Sequence, residues 1–187
     1  MNAFPQMHNR VSEAEYLAYC ATQPEGKFEL IDGEIVAMAG ASLNHNLLTM
    51  NFAALLHGHL ADSGCFTFVS DWKVQVGSNY YYPDVVVDCL PQEGRPKLII
   101  EVLSESTRHT DLSIKLEDYQ TIPDLLEYVA VEQNAQFIVV YRRKQAWRGE
   151  VYQKGEVFLE SIGLSLSLEQ IYHRVAFERK KLNLLRK

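Results

Sequence analysis

Two nearly continuous apolar runs, YYPDVVVDCL (81–90) and PKLIIEVL (96–103), flank a short turn, Pro91-Gln92-Glu93-Gly94-Arg95-Pro96. Runs of this kind, without polar alternation, belong to central strands covered on both faces. A chain that holds such a pair must bury a sheet between two layers. Each run also carries a carboxylate: Asp84 opens the first, and Glu101 lies within the second. With the turn centred between Glu93 and Gly94, Asp84 falls opposite Leu103, and Glu101 lies two residues away on the facing strand. Side chains alternate with a period of two, so the spacing predicts both carboxylates on one face. A register slip of one would separate them.

Two carboxylates side by side in an apolar hairpin repel each other when both are charged. A divalent cation removes that conflict. Acidic oxygens supplemented by water suit Mg²⁺, the usual partner of phosphate substrates, and such a metal activates water and stabilises charge on a phosphodiester. The plainer alternative is that Asp84 caps a turn and Glu101 forms an ion pair at a strand end.

The remaining segments supply a frame for this pair. VSEAEYLAYC (11–20) begins with Ser12-x-x-Glu15, a capping box, and reads as a short helix. KFELIDGEIVAM (27–38) reads as a hairpin around Asp32-Gly33. The 44–64 segment has Leu47, Leu48, Phe52, Leu55, Leu56 and Leu60 at helical spacing and stops at Ser63-Gly64. A strand is expected over 65–76, a helix over 111–120, and strands in LLEYVAVE and AQFIVVYRRK. WRGEVYQKGEVFLE (147–160) reads as a further hairpin turning at Lys154-Gly155, and the tail from Ser167 onward as a helix. The whole, residues 1–187, reads as a single α+β domain of mostly antiparallel strands with a helix packed across them.

Composition limits the functional classes. The net charge of −6 argues against holding nucleic acid by bulk electrostatics, but not against an enzyme whose carboxylates bind a metal. No apolar run approaches the roughly 18 residues of a membrane span, and the N-terminus lacks a basic-then-apolar leader pattern, so a cytoplasmic protein with no membrane partner is expected. Cys20, Cys65 and Cys89 form no C-x-x-C pair and read as free thiols in a reducing compartment.

The combination Pro83-Asp84, Glu101-Val102-Leu103-Ser104, Ser106-Thr107, Asp111, Lys115 and Tyr119 resembles the Uma2-like family, also called DUF820. These are restriction-endonuclease-like proteins of the PD-(D/E)XK nuclease superfamily. FELIDGEIVAMAGASLNH (28–45) resembles the family's N-terminal hairpin and the histidine after it, and the likeness extends over roughly residues 10–172. The resemblance implies a core of helix, three strands, helix and strand, with a mixed central sheet and an added N-terminal hairpin. It further implies that Asp84 and Glu101 bind Mg²⁺ (Mn²⁺ as a substitute), with the Val102 carbonyl as a further ligand and His45 near the metal. The implied activity is an endonuclease on nucleic acid, DNA before RNA; cutting both strands of a duplex needs two sites, so a homodimer is expected. The superfamily pattern expects a lysine two residues after the second acid, where this chain has Leu103. Lys115 is the candidate replacement. It stands four residues from both Asp111 and Tyr119, on one helix face, and is expected to touch the scissile phosphate or the attacking water. The competing reading is a nuclease-fold module that binds nucleic acid or protein without cutting.

Other candidates are weaker. Glu29 and Glu34 flank the hairpin turn and are candidates for an extra acid at the site. His57 and His59 are two apart and do not share a helix face, so the dipole at a helix C-terminus accounts for them better than a metal. The basic clusters YRRKQAWR (141–148) and ERKKLNLLRK (178–187) read as solvated surface before phosphate contacts.

Overall fold

The computed structural model describes residues 10–38 and 40–177. Helix α1 (Glu13–Thr22) starts at the expected capping box, with the Ser12 hydroxyl accepting from the Glu15 amide and the Glu15 carboxylate bonding back. Strands β1 (Phe28–Ile31) and β2 (Glu34–Ala37) form the expected hairpin. Its turn residues Asp32 and Gly33 have φ of 50° and 80°, as a two-residue hairpin loop requires. Helix α2 (Leu43–Leu60) is capped by the Ser42 side chain and buries Leu48, Phe52 and Leu56.

Six strands form the central sheet, in the order β10-β9-β8-β7-β6-β3: β3 (Phe66–Val69), β6 (Val85–Asp88), β7 (Pro96–Leu103), β8 (Glu127–Glu132), β9 (Ile138–Arg142) and β10 (Gly149–Tyr152). Every pair is antiparallel except β7 with β8, so the sheet is mixed. The parallel pair needs a crossover, supplied by helices α3 (Arg108–Asp111) and α4 (Ile114–Thr121). The alternation of β6 and β7 divides the core. Val85, Val87, Leu98, Ile100 and Val102 face α2, whereas Val86, Ile99 and Leu103 face α4. Both runs are therefore covered on two sides.

A second sheet, β2-β1-β5-β4, adds β4 (Val74–Val76) and β5 (Asn79–Tyr81) to the N-terminal hairpin and packs on the α4 side. The segment 65–76 is thus two strands in different sheets, not one; Ser70, at φ 51°, turns the chain between them. The 147–160 segment is not a hairpin either. β10 returns along β9, while β11 (Glu156–Leu159) pairs with β12 (Leu164–Ser167). Ala146 and Trp147, with φ of 52° and 57°, make the tight reversal that commits β10 to β9. The expected 111–120 helix is broken into α3 and α4 at Leu112-Ser113. Among the described residues, the helix expected in the tail is one turn, α5 (Leu168–Ile171), followed by Arg174 at φ 62°; the basic cluster 178–187 lies outside the described residues.

Cys65 and Cys89 are joined by a disulfide and only Cys20 is a free thiol, which corrects the expectation of three free cysteines. The register explains it. Phe66 pairs with Asp88, so the next residues outward on the two strands, Cys65 and Cys89, stand opposite each other. Among the described residues no helix is long and apolar enough to cross a membrane.

Candidate active site at the β6–β7 strand ends

The β6–β7 ladder pairs Val85 with Ile100, Val86 with Ile99 and Val87 with Leu98. Continued by one residue, it sets Asp84 opposite Glu101, not opposite Leu103. The register differs from the expected one by two residues, an even number, so the shared face survives. The difference arises at the far end. The ladder is irregular between Val87 and Asp88, and the Asp88 carboxylate accepts the Leu90 amide at 2.7 Å, folding the chain early into a longer loop.

Pro83 lacks an N–H and ends the ladder, leaving the edge of β7 beyond Ile100 without a strand partner on that side. Asp84 takes over with its side chain: Oδ2 accepts the Val102 amide at 2.7 Å. Reciprocally, the Asp84 amide donates to Glu101 Oε2 at 3.3 Å. The Glu101 carboxylate thus touches the backbone of Asp84, and the Asp84 carboxylate the backbone of the residue after Glu101. His45, in the first turn of α2, places Nε2 3.2 Å from Asp84 Oδ2.

Behind this pair lies a buried ionic cluster. Lys115 Nζ is 3.1 Å from Glu101 Oε1, 3.1 Å from Glu29 Oε1 and 3.2 Å from Asp111 Oδ1. The contact to Asp111 is ionic without an aligned hydrogen bond. The Tyr119 hydroxyl donates to Glu101 Oε1 at 3.0 Å, so Glu101 is held from two sides. Lys115 is only 5% exposed at its side chain, whereas Asp84 and His45 are 14% and 15% exposed. Solvent therefore reaches the cluster from the Asp84–His45 side.

The protonation preferences follow from that crowding. Burial opposes the Lys115 charge, but Glu101, Asp111 and Glu29 outweigh it and hold the ammonium well above its ordinary range. Burial pushes Glu101 well up; Lys115 opposes this, and Asp111, Asp84 and Glu29 add to it. Asp111 is pushed up for the same first reason, burial. Burial works against a charged His45, yet its hydrogen bond to Asp84, the charges of Asp84 and Asp111, and a bond to the Val102 backbone raise it on balance. Three carboxylates (Glu29, Glu101, Asp111) contact one lysine and Asp84 adjoins Glu101, a crowding that a further cation would relieve.

Among the described residues no group of three or more His, Cys, Asp or Glu side chains is arranged to enclose a metal. Two carboxylates and a backbone carbonyl, completed by water, form a smaller set, and it matches what Mg²⁺ accepts. Asp84, Glu101 and Val102 meet at one point of the fold and fit that set.

The structure thus brings Asp84, Glu101, Val102, His45 and Lys115 together, along with Glu29 of the hairpin. Glu34, by contrast, is exposed on β2. His59 bonds the Ile162 carbonyl at 2.8 Å, away from the site. In the 141–148 cluster Lys144 and Arg148 are exposed, as expected of a solvated edge, whereas Arg142 is buried against Glu127 and Arg143 donates to the Leu125 and Ile122 carbonyls. Asp124, which follows Pro123 and so repeats the Pro-Asp dipeptide, bonds Arg95. Sequence reasoning missed Gln133, whose amide donates to the Leu103 carbonyl at 2.8 Å and bonds the Ser42 hydroxyl, joining the end of β7 to the start of α2. A single glutamine after a strand carries no signal of that role.

Comparison with known proteins agrees with this fold. The family model of Uma2, described as "putative restriction endonuclease", matches residues 13–172. Uncharacterized protein slr1290 of Synechocystis sp. is 35% identical over 180 residues, covering 90% of this chain and 94% of the relative. Uncharacterized protein sll1609 of the same organism is 39% identical over 136 residues, 66% of this chain and 75% of the relative. A crystal structure described as a "putative nuclease belonging to DUF820" from Anabaena variabilis superposes with a TM-score of 0.74 at 18% identity, covering 87% of this chain and 97% of that one. The six-stranded mixed sheet, the helix–strand order around Asp84 and Glu101, and the match across residues 13–172 lead to one conclusion: the chain belongs to the Uma2 family and has its restriction-endonuclease-like, nuclease-like fold.

Proposed function

We propose that the protein is a divalent-metal-dependent nuclease that hydrolyses phosphodiester bonds in DNA. One observation carries this reading. Asp84 and Glu101 stand together on one face at a strand end, backed by more buried carboxylates than the lysine there can neutralise. A bound Mg²⁺ or Mn²⁺ would lower the pKa of water and offset charge on the phosphate. Asp84, Glu101 and the Val102 carbonyl would hold it.

The chain's own groups have separable tasks. Lys115 keeps its proton, so it is a fixed positive charge and not a base. It fills much of the electrostatic place left by Leu103, holding Glu101 in orientation with Tyr119. His45 bonds Asp84 from the solvent side and fixes its rotamer. The open side at Asp84 and His45 is where a phosphate would approach. Cutting both strands of a duplex calls for two copies of the site, which a homodimer would supply.

The test is cleavage of supercoiled plasmid and of single-stranded DNA by wild type and by Asp84→Ala, with Mg²⁺, with Mn²⁺ and with chelator. Wild type should cut only with metal. The variant, lacking a direct ligand, should be slower by about a hundredfold or more, since even indirect partners of a metal cost 10–100-fold. Metal-independent cutting, or equal cutting by Asp84→Ala, contradicts the proposal. Nucleic-acid binding without cutting would instead support a non-catalytic binding module.

A further inference from the structure

The N-terminal hairpin places Glu29 in an unusual position. It sits on β1, in the small sheet, yet it is 5% exposed and reaches the cluster under the large sheet. One oxygen, Oε1, accepts the Tyr82 amide at 2.8 Å and meets Lys115 Nζ at 3.1 Å. Tyr82 is two residues before Asp84, on the segment between β5 and β6. Lys115 belongs to α4 and contacts Glu101. The Glu29 carboxylate is therefore a single point that spans the segment carrying Asp84 and the lysine that orients Glu101.

Neighbouring contacts keep this bridge from being an isolated accident. β1 pairs with β5 through Leu30 and Tyr80. The Asp32 amide donates to Asn79 Oδ1 at 2.9 Å, and Asn79 in turn donates to Asp118 of α4 at 2.7 Å. The Tyr81 hydroxyl also bonds Asp118. The hairpin is thus fastened to β5 and to α4 independently of Glu29, so losing the Glu29 carboxylate leaves the small sheet attached.

We infer that Glu29 is a positioning residue of the site, setting the Asp84 segment and Lys115 at a fixed separation. This rests on the nuclease reading for its consequence on rate, but not for its structural content. A carboxylate that bridges two elements does so by two separable means: an oxygen that accepts the Tyr82 amide, and a charge that attracts Lys115. Glu29→Gln keeps the acceptor and removes the charge. Glu29→Ala removes both.

The experiment pairs two readouts on the full chain: exchange of the Tyr82 amide proton in the metal-free protein, followed by NMR, and kcat and KM for plasmid cleavage with Mg²⁺. In wild type and Glu29→Gln the Tyr82 amide should exchange slowly, and in Glu29→Ala at least tenfold faster, with exchange across β7 and β8 unchanged. Both variants should lose kcat, by about ten- to a hundredfold as expected for a small misplacement, with KM nearly constant. Unchanged Tyr82 exchange in Glu29→Ala would overturn the bridge. Wild-type kcat in both variants would overturn the positioning role. Failure of wild type to cut under any metal would count against the nuclease reading, and the exchange result would still decide the bridge. Glu29→Gln, nearly isosteric, keeps the test valid if Glu29→Ala fails to fold, since it should show slow exchange together with reduced kcat.

Discussion

Lys115 governs the charge balance of the site. Its ammonium contacts three carboxylates in a space with almost no solvent access. Replacing it by methionine would leave Glu29, Glu101 and Asp111 buried without their cation, and removing one partner of a buried ion pair costs about 3–5 kcal/mol. Urea unfolding of Lys115→Met in metal-free buffer should show a loss of that size; a loss under about 1 kcal/mol would contradict the account. His45 gives a second residue-scale prediction. Its folded pKa is raised above the ordinary 6.5, so the native state holds the proton more tightly than the unfolded chain. The stability this adds is fully present below the unfolded value and is lost as pH rises through the folded one. Metal-free wild type should therefore lose melting temperature as the pH rises from about 6 to 9 more steeply than His45→Gln does. Glu101 and Asp111, also raised, tilt both proteins the same way, so the difference between them isolates His45. Parallel pH profiles would contradict the assigned contact.

Among the elements, the hairpin turn is the most sensitive to a local change. Gly33 has φ of 80°, and a Cβ there would lie 2.6 Å from the Cβ of Arg10. Gly33→Ala should cost more than the roughly 1 kcal/mol of the left-handed conformation alone, because the chain before α1 must also move. Thermal unfolding measures it; an unchanged melting temperature would contradict the packing. This turn was legible from Asp32-Gly33, as α1 was from its capping box and β6 and β7 from their apolar runs. What escaped the sequence were breaks made by single backbone angles. Ser70, Ala146 and Arg174 adopt positive φ without being glycine or asparagine, so nothing in their identity marks the turn. The register of β6 against β7 was displaced by two because Asp88 folds the chain early, a side-chain bond that strand periodicity does not contain. The pairing of Cys65 with Cys89 depended on β3 lying beside β6 in this register, a contact between segments distant in sequence that strand periodicity does not contain.

At the scale of the molecule, the central sheet keeps two faces apart and exposes their boundary at one end. α2 covers one face and brings His45; α4 covers the other and brings Lys115; β6 and β7 end between them with Asp84 and Glu101. The small sheet adds Glu29 from outside. Asp84, Glu101 and Lys115 were readable from spacing together with family likeness, because they lie within one hairpin and the crossover after it. Glu29 was readable only as a candidate extra acid; its bridge to Lys115 and the contacts of Gln133 were not readable, because they join separate sheets and helices. The central claim is that Asp84 and Glu101 form a site for a divalent cation. Titration of Mn²⁺ into the protein, followed by calorimetry and by the electron spin resonance of free Mn²⁺, tests it most directly. One ion should bind per chain in wild type and none, or one far more weakly, in Asp84→Asn and Glu101→Gln; binding that is absent in wild type, or unaltered in both variants, would contradict it.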